Sequence, residues 1–215
     1  MKPTLYHYIH CPFCVRVRMT LGYLNIPFES VVLPYDDEAT PVRLTGKKML
    51  PILETDAGAM NESLDIMALL DKENKLHIKE ETSQKSFPEF EAYLNFLGSP
   101  VHSLAMPYWI WTPEFSESSR TYFEEKKSAK RGPFKDLVKN QKQFMEVLEK
   151  EWPNLEKELT PFYKSQNFGL KDIMLASHIW GLYVVPEFQF PPSIHSYLQQ
   201  VKAICHFEYH LNYCK

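Results

Sequence analysis

The pattern of apolar and polar positions divides the chain into two parts. In the first 75 residues, short strand-like segments alternate with segments of helical periodicity. The pattern predicts strands over 5–9, 28–33 and 51–54 and around 59–60. It predicts helices over 12–25, 40–46 and 63–72. The last two strands are too close in sequence for a crossover connection, so the sheet must be mixed, and this part is a compact α/β domain.

Beyond a polar segment at 75–84, nearly all of the chain shows helical periodicity. Helices are predicted over 87–104, 114–127, 134–152 and 172–184. Pro153 is expected to end or kink the third of these, and Ser193 to cap a final helix. We therefore predict an α/β domain over 1–74, a linker over 75–84 and an all-α domain over 85–215.

Composition narrows the classes of protein that fit. The 215 residues are 44% hydrophobic and 24% charged, a composition too apolar for a disordered chain. The net charge of −3 argues against nucleic-acid binding. No apolar run approaches the roughly 20 residues that a membrane-spanning helix needs. The start of the chain lacks the apolar stretch of a signal peptide, so we expect a cytoplasmic protein. In that reducing compartment, paired cysteines are typical of catalysis or metal binding.

The motif His10-Cys11-Pro12-Phe13-Cys14 lies where the first strand ends and the first helix begins. Unpaired N–H groups and a partial positive charge at a helix N-terminus favour the thiolate of Cys11. Cys14, almost one turn further, can reach that sulfur while shielded from large substrates. This arrangement indicates thiol–disulfide exchange. A zinc half-site and an inert buried pair are the alternatives, although no second ligand pair occurs in the first 100 residues.

Two further segments fit the same site. Pro51 starts a strand after a loop, and Asn61-Glu62-Ser63 opens the third helix, where N–H groups and a hydroxyl can bind a carboxylate. Taken alone, the first is typical of a trans proline at a strand start and the second of a capping segment.

Together with the cysteine motif, these segments resemble the thioredoxin-like domain of glutaredoxins and glutathione transferases, and the helical remainder resembles the transferase C-terminal domain. The motif Cys-Pro-Phe-Cys, the run 36–41, Gly46-Lys47-Lys48 and Leu-Pro-Ile-Leu are similar to the glutaredoxin 2 family of long bacterial glutaredoxins. The resemblance implies that Cys11 is the nucleophile and Cys14 the resolving thiol.

The resemblance also implies a glutathione site, with glutathione as co-substrate and no metal. Its expected residues are Phe13, Leu50, Pro51, Glu62 and Ser63. Pro51 would be cis and turn the Leu50 backbone toward the cysteinyl part of glutathione. The γ-glutamyl group would bind at Glu62 and Ser63, and either Lys47 or Lys48 would meet the glycyl carboxylate. One departure from the family pattern is Gly169, which replaces the usual hydroxyl residue three positions before Asp172.

The predicted function is therefore a monomeric, glutathione-dependent oxidoreductase that reduces protein–glutathione mixed disulfides and protein disulfides. One alternative is a Cys-type glutathione transferase or dehydroascorbate reductase, which would have no use for Cys14. Another is a non-catalytic interaction protein of transferase shape, which would not need a reactive pair.

Two other features of the sequence leave a choice open. If the last helix extends far enough, one of its faces carries His206, His210 and Cys214, which would suit a metal ion. The simpler interpretation is a buried thiol at Cys205 followed by a frayed tail. The aromatic stretch 106–115 belongs either to the core or to the cleft between the domains.

Overall fold

A mixed four-stranded sheet forms the centre of the first part of the chain. The structure is a computed structural model that describes residues 2–112 and 114–210. The strands are β1 (Thr4–His7), β2 (Glu29–Val32), β3 (Ile52–Thr55) and β4 (Gly58–Met60), in the spatial order β2-β1-β3-β4. β2 runs parallel to β1, whereas β3 is antiparallel to both β1 and β4. The predicted mixed sheet is confirmed.

Three helices accompany this sheet: α1 (Pro12–Tyr23), α2 (Ala39–Thr45) and α3 (Ser63–Leu70). α1 begins with Pro12, whose missing N–H would have no partner in the first turn. α2 ends at Gly46, which has a φ of 76°, a left-handed conformation that glycine adopts without steric cost. Both helix ends lie where the sequence predicts them.

The segment predicted as a polar linker contains a helix, α4 (Ile78–Ser83). Ile78 is buried at its start and belongs to the main hydrophobic core. One apolar anchor in a six-residue helix is too little to produce a detectable period, so the sequence does not indicate the helical residues within the predicted linker over 75–84.

Helices make up most of the rest of the described chain. It contains α5 (Phe87–Trp109), α6 (Glu117–Arg131), α7 (Phe134–Lys139), α8 (Gln141–Glu158), α9 (Leu170–Ile179), a 3₁₀ helix (Trp180–Val184) and α10 (Pro192–Ile204). Among the described residues, none of these helices combines the length and the apolar character required to cross a bilayer.

Prolines mislead the sequence prediction in this part. The helix predicted over 134–152 is two helices that meet at Asn140, and α8 continues through Pro153 to Glu158. The carbonyl left without an N–H partner there belongs to Glu149, an exposed residue, where solvent can substitute. α5 likewise runs through Pro100 and Pro107. Proline position alone therefore does not fix the helix ends.

Ser193 is not the cap of the last helix. α10 starts at Pro192, and the Ser193 hydroxyl donates a hydrogen bond to the Glu156 carboxylate on α8. The helix predicted over 172–184 also ends early, because α9 gives way to a 3₁₀ helix at Trp180.

The two parts of the chain share one hydrophobic core, with α1 packed against α9. At the end of α1, Gly22 lies so close to the chain after α10 that a Cβ there would be 1.9 Å from the Cys205 carbonyl oxygen. One turn earlier, Arg18 Nη2 lies 2.7 Å from His210 Nε2, and its guanidinium covers the Phe207 ring at 4.7 Å. α1 therefore joins the sheet to both α9 and the segment that follows α10.

Asp172 connects the start of α9 to two other segments. Its buried carboxylate accepts hydrogen bonds from the Gly169 N–H (2.9 Å), the Tyr163 N–H (2.8 Å) and the Tyr197 hydroxyl (2.9 Å). Burial raises the pKa of Asp172, and these three donors oppose that rise. The aspartate therefore stabilises this helix start although glycine replaces the hydroxyl residue.

Replacing Asp172 by alanine is expected to lower the free energy of unfolding by about 2 kcal/mol, because three buried donors lose their acceptor. Urea denaturation followed by circular dichroism measures this change. Asp136→Ala, at an exposed position in α7, is the control and is expected to stay within about 0.5 kcal/mol of the unmodified protein. Equal effects of the two substitutions would contradict the role of Asp172.

Candidate active site

The sheet topology brings the three predicted site segments to one edge. β1 ends just before the cysteine motif, and the antiparallel pairing of Tyr6 with Ile52 places Pro51 beside that end. β4 runs in the same direction as β1 and pairs Met60 with Leu53, so Asn61-Glu62-Ser63 leaves the sheet at the same edge. The cysteines, the proline loop and the start of α3 therefore meet where β1 ends.

Cys11 lies at the N-terminus of α1 in an extended conformation (φ −75°, ψ 123°) and is partly exposed. Cys14, in the first turn of the helix, is fully buried, and its sulfur accepts a hydrogen bond from the Tyr8 N–H at 3.4 Å. The sequence prediction of one accessible and one shielded sulfur agrees with this arrangement. Neither cysteine is in a disulfide.

The surroundings of Cys11 lower its pKa to about 6. The largest cause is a hydrogen bond from the Cys14 thiol. The electrostatic influence of His10 and the N–H groups of Cys14 and Phe13 lower the pKa further, and desolvation opposes them. Burial, followed by the same hydrogen bond, raises the pKa of Cys14 well above its usual value. At neutral pH the pair therefore consists of a thiolate at Cys11 and a thiol at Cys14.

Alkylation of Cys11 by iodoacetamide is expected to reach half its maximal rate near pH 6 and to fall as the pH decreases, because only the thiolate reacts. Mass spectrometry of peptides after short exposure measures this for each cysteine. Cys205 is buried and its pKa is raised by that burial, so it serves as an internal control that remains unmodified in the folded protein. A midpoint for Cys11 near the ordinary thiol value of about 8.5 would contradict the assignment.

Phe13 projects from the first turn of α1 between the two parts of the chain. Its ring is 47% exposed, lies 6.0 Å from the His178 ring on α9 and is covered by the Arg16 guanidinium at 4.7 Å. Arg16 is buried, which lowers its pKa to about 10, so it remains a cation at neutral pH. The Cys11 thiolate partly offsets that effect of burial.

The proline loop has the cis bond that the family resemblance implies, and the backbone at the start of α3 has an unusual conformation. The Leu50–Pro51 peptide bond is cis, and Leu50 packs in one cluster with Cys14 and the partly buried Cys11. Glu62 has a φ of 70°, an unusual conformation for a residue other than glycine, and directly precedes Ser63 at the first position of α3. Strain of this kind concentrates at functional sites, and nothing in the sequence signals it here.

The two lysines proposed for a carboxylate differ in their contacts. Lys48 Nζ lies 3.3 Å from the Glu38 carboxylate and 3.9 Å from the centre of the Tyr122 ring on α6, whereas Lys47 is exposed. The choice between them stays open.

The segment after α10 does not form the metal-binding face that helical spacing would give. α10 ends at Ile204, and both His206 and His210 have positive φ values. Cys214 lies outside the described residues. Within the described residues, no group of three or more histidine, cysteine or acidic side chains is arranged to hold a metal ion.

Two family models match successive parts of the chain. Residues 5–77 match the family described as "Glutathione S-transferase, N-terminal domain", and residues 89–209 match the family "Glutaredoxin 2, C terminal domain". The crystal structure of glutaredoxin 2 from Salmonella typhimurium in complex with glutathione superimposes with a TM-score of 0.86 at 30% identity, covering 99% of each chain. The chain belongs to the glutaredoxin 2 family.

A curated relative extends the glutaredoxin 2 match. Glutaredoxin 2 of Escherichia coli K12 is 40% identical over 138 residues, which make up 62% of this chain and 63% of that protein. The chain therefore matches somewhat less than two thirds of the length of this relative. A glutathione transferase from Phanerochaete chrysosporium shares the fold, with a TM-score of 0.73 at 13% identity. The predicted family and fold class are confirmed.

The glutaredoxin 2 architecture also brings residues to the site that sequence reasoning missed. His10 is surrounded by aromatic rings from both parts of the chain, and its Nδ1 lies 2.7 Å from the Glu114 carboxylate. Lys127 on α6 is close enough to the Cys11 thiolate for that charge to affect its pKa. Glu114 belongs to the aromatic stretch 106–115, so part of this stretch does line the region between the sheet and the helical part. Among the described residues of the stretch 106–115, Trp111 is exposed, at 67% accessibility.

Proposed function

We propose that this protein is a glutathione-dependent thiol–disulfide oxidoreductase of the glutaredoxin type. The Cys11 thiolate attacks the glutathione sulfur of a protein–glutathione mixed disulfide. The Cys11–glutathione disulfide forms, the original disulfide breaks, and the protein leaves as a thiolate that takes a proton from solvent. A glutathione thiolate then attacks the glutathione sulfur on Cys11, which releases glutathione disulfide and restores the Cys11 thiolate.

The observation that carries this proposal is the unequal state of the two sulfurs. Cys11 is accessible and its pKa lies near 6, so at pH 7 it is mostly thiolate and a good leaving group in the second step. Cys14 is a buried thiol that donates a hydrogen bond to Cys11. For an internal protein disulfide, the Cys11 thiolate first attacks one substrate sulfur, which breaks the substrate disulfide, frees the other substrate sulfur as a thiolate and forms a mixed disulfide at Cys11. Cys14 then loses its proton to the departing substrate sulfur and attacks the sulfur of Cys11. That second attack releases the substrate dithiol and leaves a Cys11–Cys14 disulfide, which glutathione reduces.

The proposed glutathione site is the edge of the sheet beside Cys11. The Leu50 backbone would pair with the cysteinyl part of glutathione, Ser63 and the N–H groups at the start of α3 would bind the γ-glutamyl carboxylate, and Glu62 would face its amino group. Phe13 would pack beside the sulfur. A helix N-terminus favours a carboxylate because its N–H groups lack partners, and the bound glutathione of the Salmonella relative supports this kind of ligand.

Partners and location belong to the same proposal. The substrates would be glutathionylated or disulfide-containing proteins, and the enzyme would act as a monomer in the cytoplasm. The unpaired thiols of Cys11 and Cys14, which glutathione would keep reduced, suit a reducing compartment.

The test is reduction of a glutathionylated peptide by glutathione, with glutathione disulfide production coupled to glutathione reductase and NADPH. We expect turnover that saturates with peptide and increases with glutathione concentration. The same preparation is assayed with dehydroascorbate and with 1-chloro-2,4-dinitrobenzene. Reduction of the peptide at no more than the uncatalysed rate would refute the oxidoreductase proposal, and conjugation of the dinitrobenzene in its place would favour a transferase.

A further inference from the structure

A buried carboxylate from the helical part of the chain lies against the histidine that precedes Cys11. Glu114 Oε1 is 2.7 Å from His10 Nδ1 and also accepts a hydrogen bond from the His10 N–H at 3.3 Å. Both side chains are almost completely buried. The two residues are 104 positions apart in sequence, so the contact links the helical part directly to the active-site motif.

The surroundings of this pair favour opposite charges on its members. The other carboxylate oxygen of Glu114 is buried and has no hydrogen-bond partner among the described residues, so a negative charge there depends on His10 for compensation. Five aromatic rings lie with their centres 5.1 to 5.7 Å from the His10 ring. They belong to Tyr8, Tyr35, Trp109, Phe115 and Phe123. Aromatic faces at this distance attract a cation.

We propose that Glu114 is a positioning residue for the thiol chemistry: its carboxylate fixes the His10 ring and keeps it as an imidazolium beside Cys11. The inference rests on the proposed function, and it means that the helical part of the chain controls the charge next to the nucleophile. An imidazolium at His10 stabilises the thiolate of Cys11.

Other titratable groups face the pair and Cys11 from each element packed around them. They are Cys14 and Arg16 on α1, Tyr8 after β1, Tyr35 after β2, His102 on α5 and Lys127 on α6. Burial lowers the pKa of His102 to about 3, so it is neutral near pH 7, whereas Arg16 remains a cation. These groups remain in place when only Glu114 is changed, so a change in Cys11 reports on Glu114.

The test is the pH dependence of Cys11 alkylation in Glu114→Gln, measured by mass spectrometry on the full chain. Glutamine retains an oxygen that accepts from Nδ1 but carries no charge. If His10 loses its positive charge as a result, the midpoint for Cys11 rises by about one pH unit. If Glu114 acts only as a nearby negative charge, its removal lowers the midpoint, and this result would overturn the proposal. An unchanged midpoint would also overturn it.

Two controls separate positioning from folding. Glu117→Gln, at an exposed position at the start of α6, is expected to leave the midpoint unchanged. His10→Gln is expected to raise the midpoint of Cys11 alkylation as much as Glu114→Gln does. The double variant is expected to add nothing further, because each substitution abolishes the same positive charge, that of the His10 ring. Additive shifts would show that Glu114 acts independently of His10, contrary to the proposal.

One measurement reads the charge of His10 directly in the unmodified protein. Nitrogen-15 spectra of the histidine-labelled protein at pH 7 show whether both His10 ring nitrogens carry protons, with His10→Gln used only for assignment by the lost signal. Two protonated nitrogens are expected, and a neutral ring would overturn the proposal. Neither alkylation nor these spectra involve glutathione or a disulfide substrate. Lack of turnover would refute the proposed function. An unchanged alkylation midpoint of Cys11 in Glu114→Gln, or a neutral His10 ring, would refute this inference.

Discussion

Cys11→Ser is expected to reduce glutathione-dependent turnover of a glutathionylated peptide by at least about a thousandfold, whereas Cys14→Ser is expected to retain most of it. A serine hydroxyl at position 11 stays protonated at neutral pH and forms no disulfide, so the first step cannot occur. Serine at position 14 still donates a hydrogen bond to the Cys11 thiolate. A mixed disulfide of glutathione needs only the exposed sulfur. The measurement is the coupled peptide assay at saturating glutathione.

The matched control is Cys14→Ala, which removes the hydrogen bond that contributes most to the low pKa of Cys11. We expect its alkylation midpoint to rise above that of Cys14→Ser, with slower turnover near pH 6, where fewer molecules hold a thiolate. Reduction of an internal peptide disulfide through a two-thiol route is expected to fail in both variants. Loss of mixed-disulfide turnover in Cys14→Ser would instead make Cys14 obligatory and contradict the one-thiol route.

Gly22→Ala is expected to lower the free energy of unfolding by about 3 kcal/mol, measured by urea denaturation. The added Cβ would lie 1.9 Å from the Cys205 carbonyl oxygen, a backbone atom that cannot swing aside as a side chain does. Alanine is the better helix former by about 1 kcal/mol, so this loss occurs against a favourable change in helix propensity. The contact lies between α1, which begins directly after Cys11 and contains Cys14, and the segment after α10.

Gly169→Ala is the matched control, because no atom of the described residues, apart from the two chain neighbours, lies within 4 Å of a Cβ at that position. Its backbone is extended (φ −158°), a conformation open to any residue, so we expect only the loss of at most about 1 kcal/mol that alanine causes in place of glycine at a helix N-cap. A Gly22→Ala protein as stable as this control would mean that the chain after α10 shifts without cost, and the close approach would then have no role in stability.

Local patterns were sufficient to predict most of the first part of the chain. The alternation in β1, the apolar stripe of α1 and the glycine at position 46 each depend on near neighbours in sequence, and each lies close to where it is predicted. The cysteine spacing likewise determines which sulfur is shielded. These features need only the period of a strand or helix and the chemistry of a helix end.

The contacts that local patterns do not reveal are long-range ones. Glu114 is a single acidic residue in an aromatic stretch, and only the packing of α5 and α6 against the motif brings its carboxylate to His10. The positive φ of Glu62 depends on how β4 leads into α3, since glutamate has no preference for that conformation. Pro153 shows the converse, because a strong local signal for a helix end was overridden by burial of Trp152 and Leu155 on either side.

The hydrogen bond from Cys14 to Cys11 has a consequence for redox potential. Lowering the pKa of Cys11 from 9.0 to about 6 stabilises the reduced form of the protein, because only that form contains the thiolate. At pH 7 this stabilisation is on the order of 1 kcal/mol. For a two-electron couple it moves the potential of the Cys11–Cys14 disulfide by a few tens of millivolts, on the order of 20 mV, toward a stronger oxidant. The pair of sulfurs therefore gives up its disulfide to glutathione more readily than two ordinary thiols would.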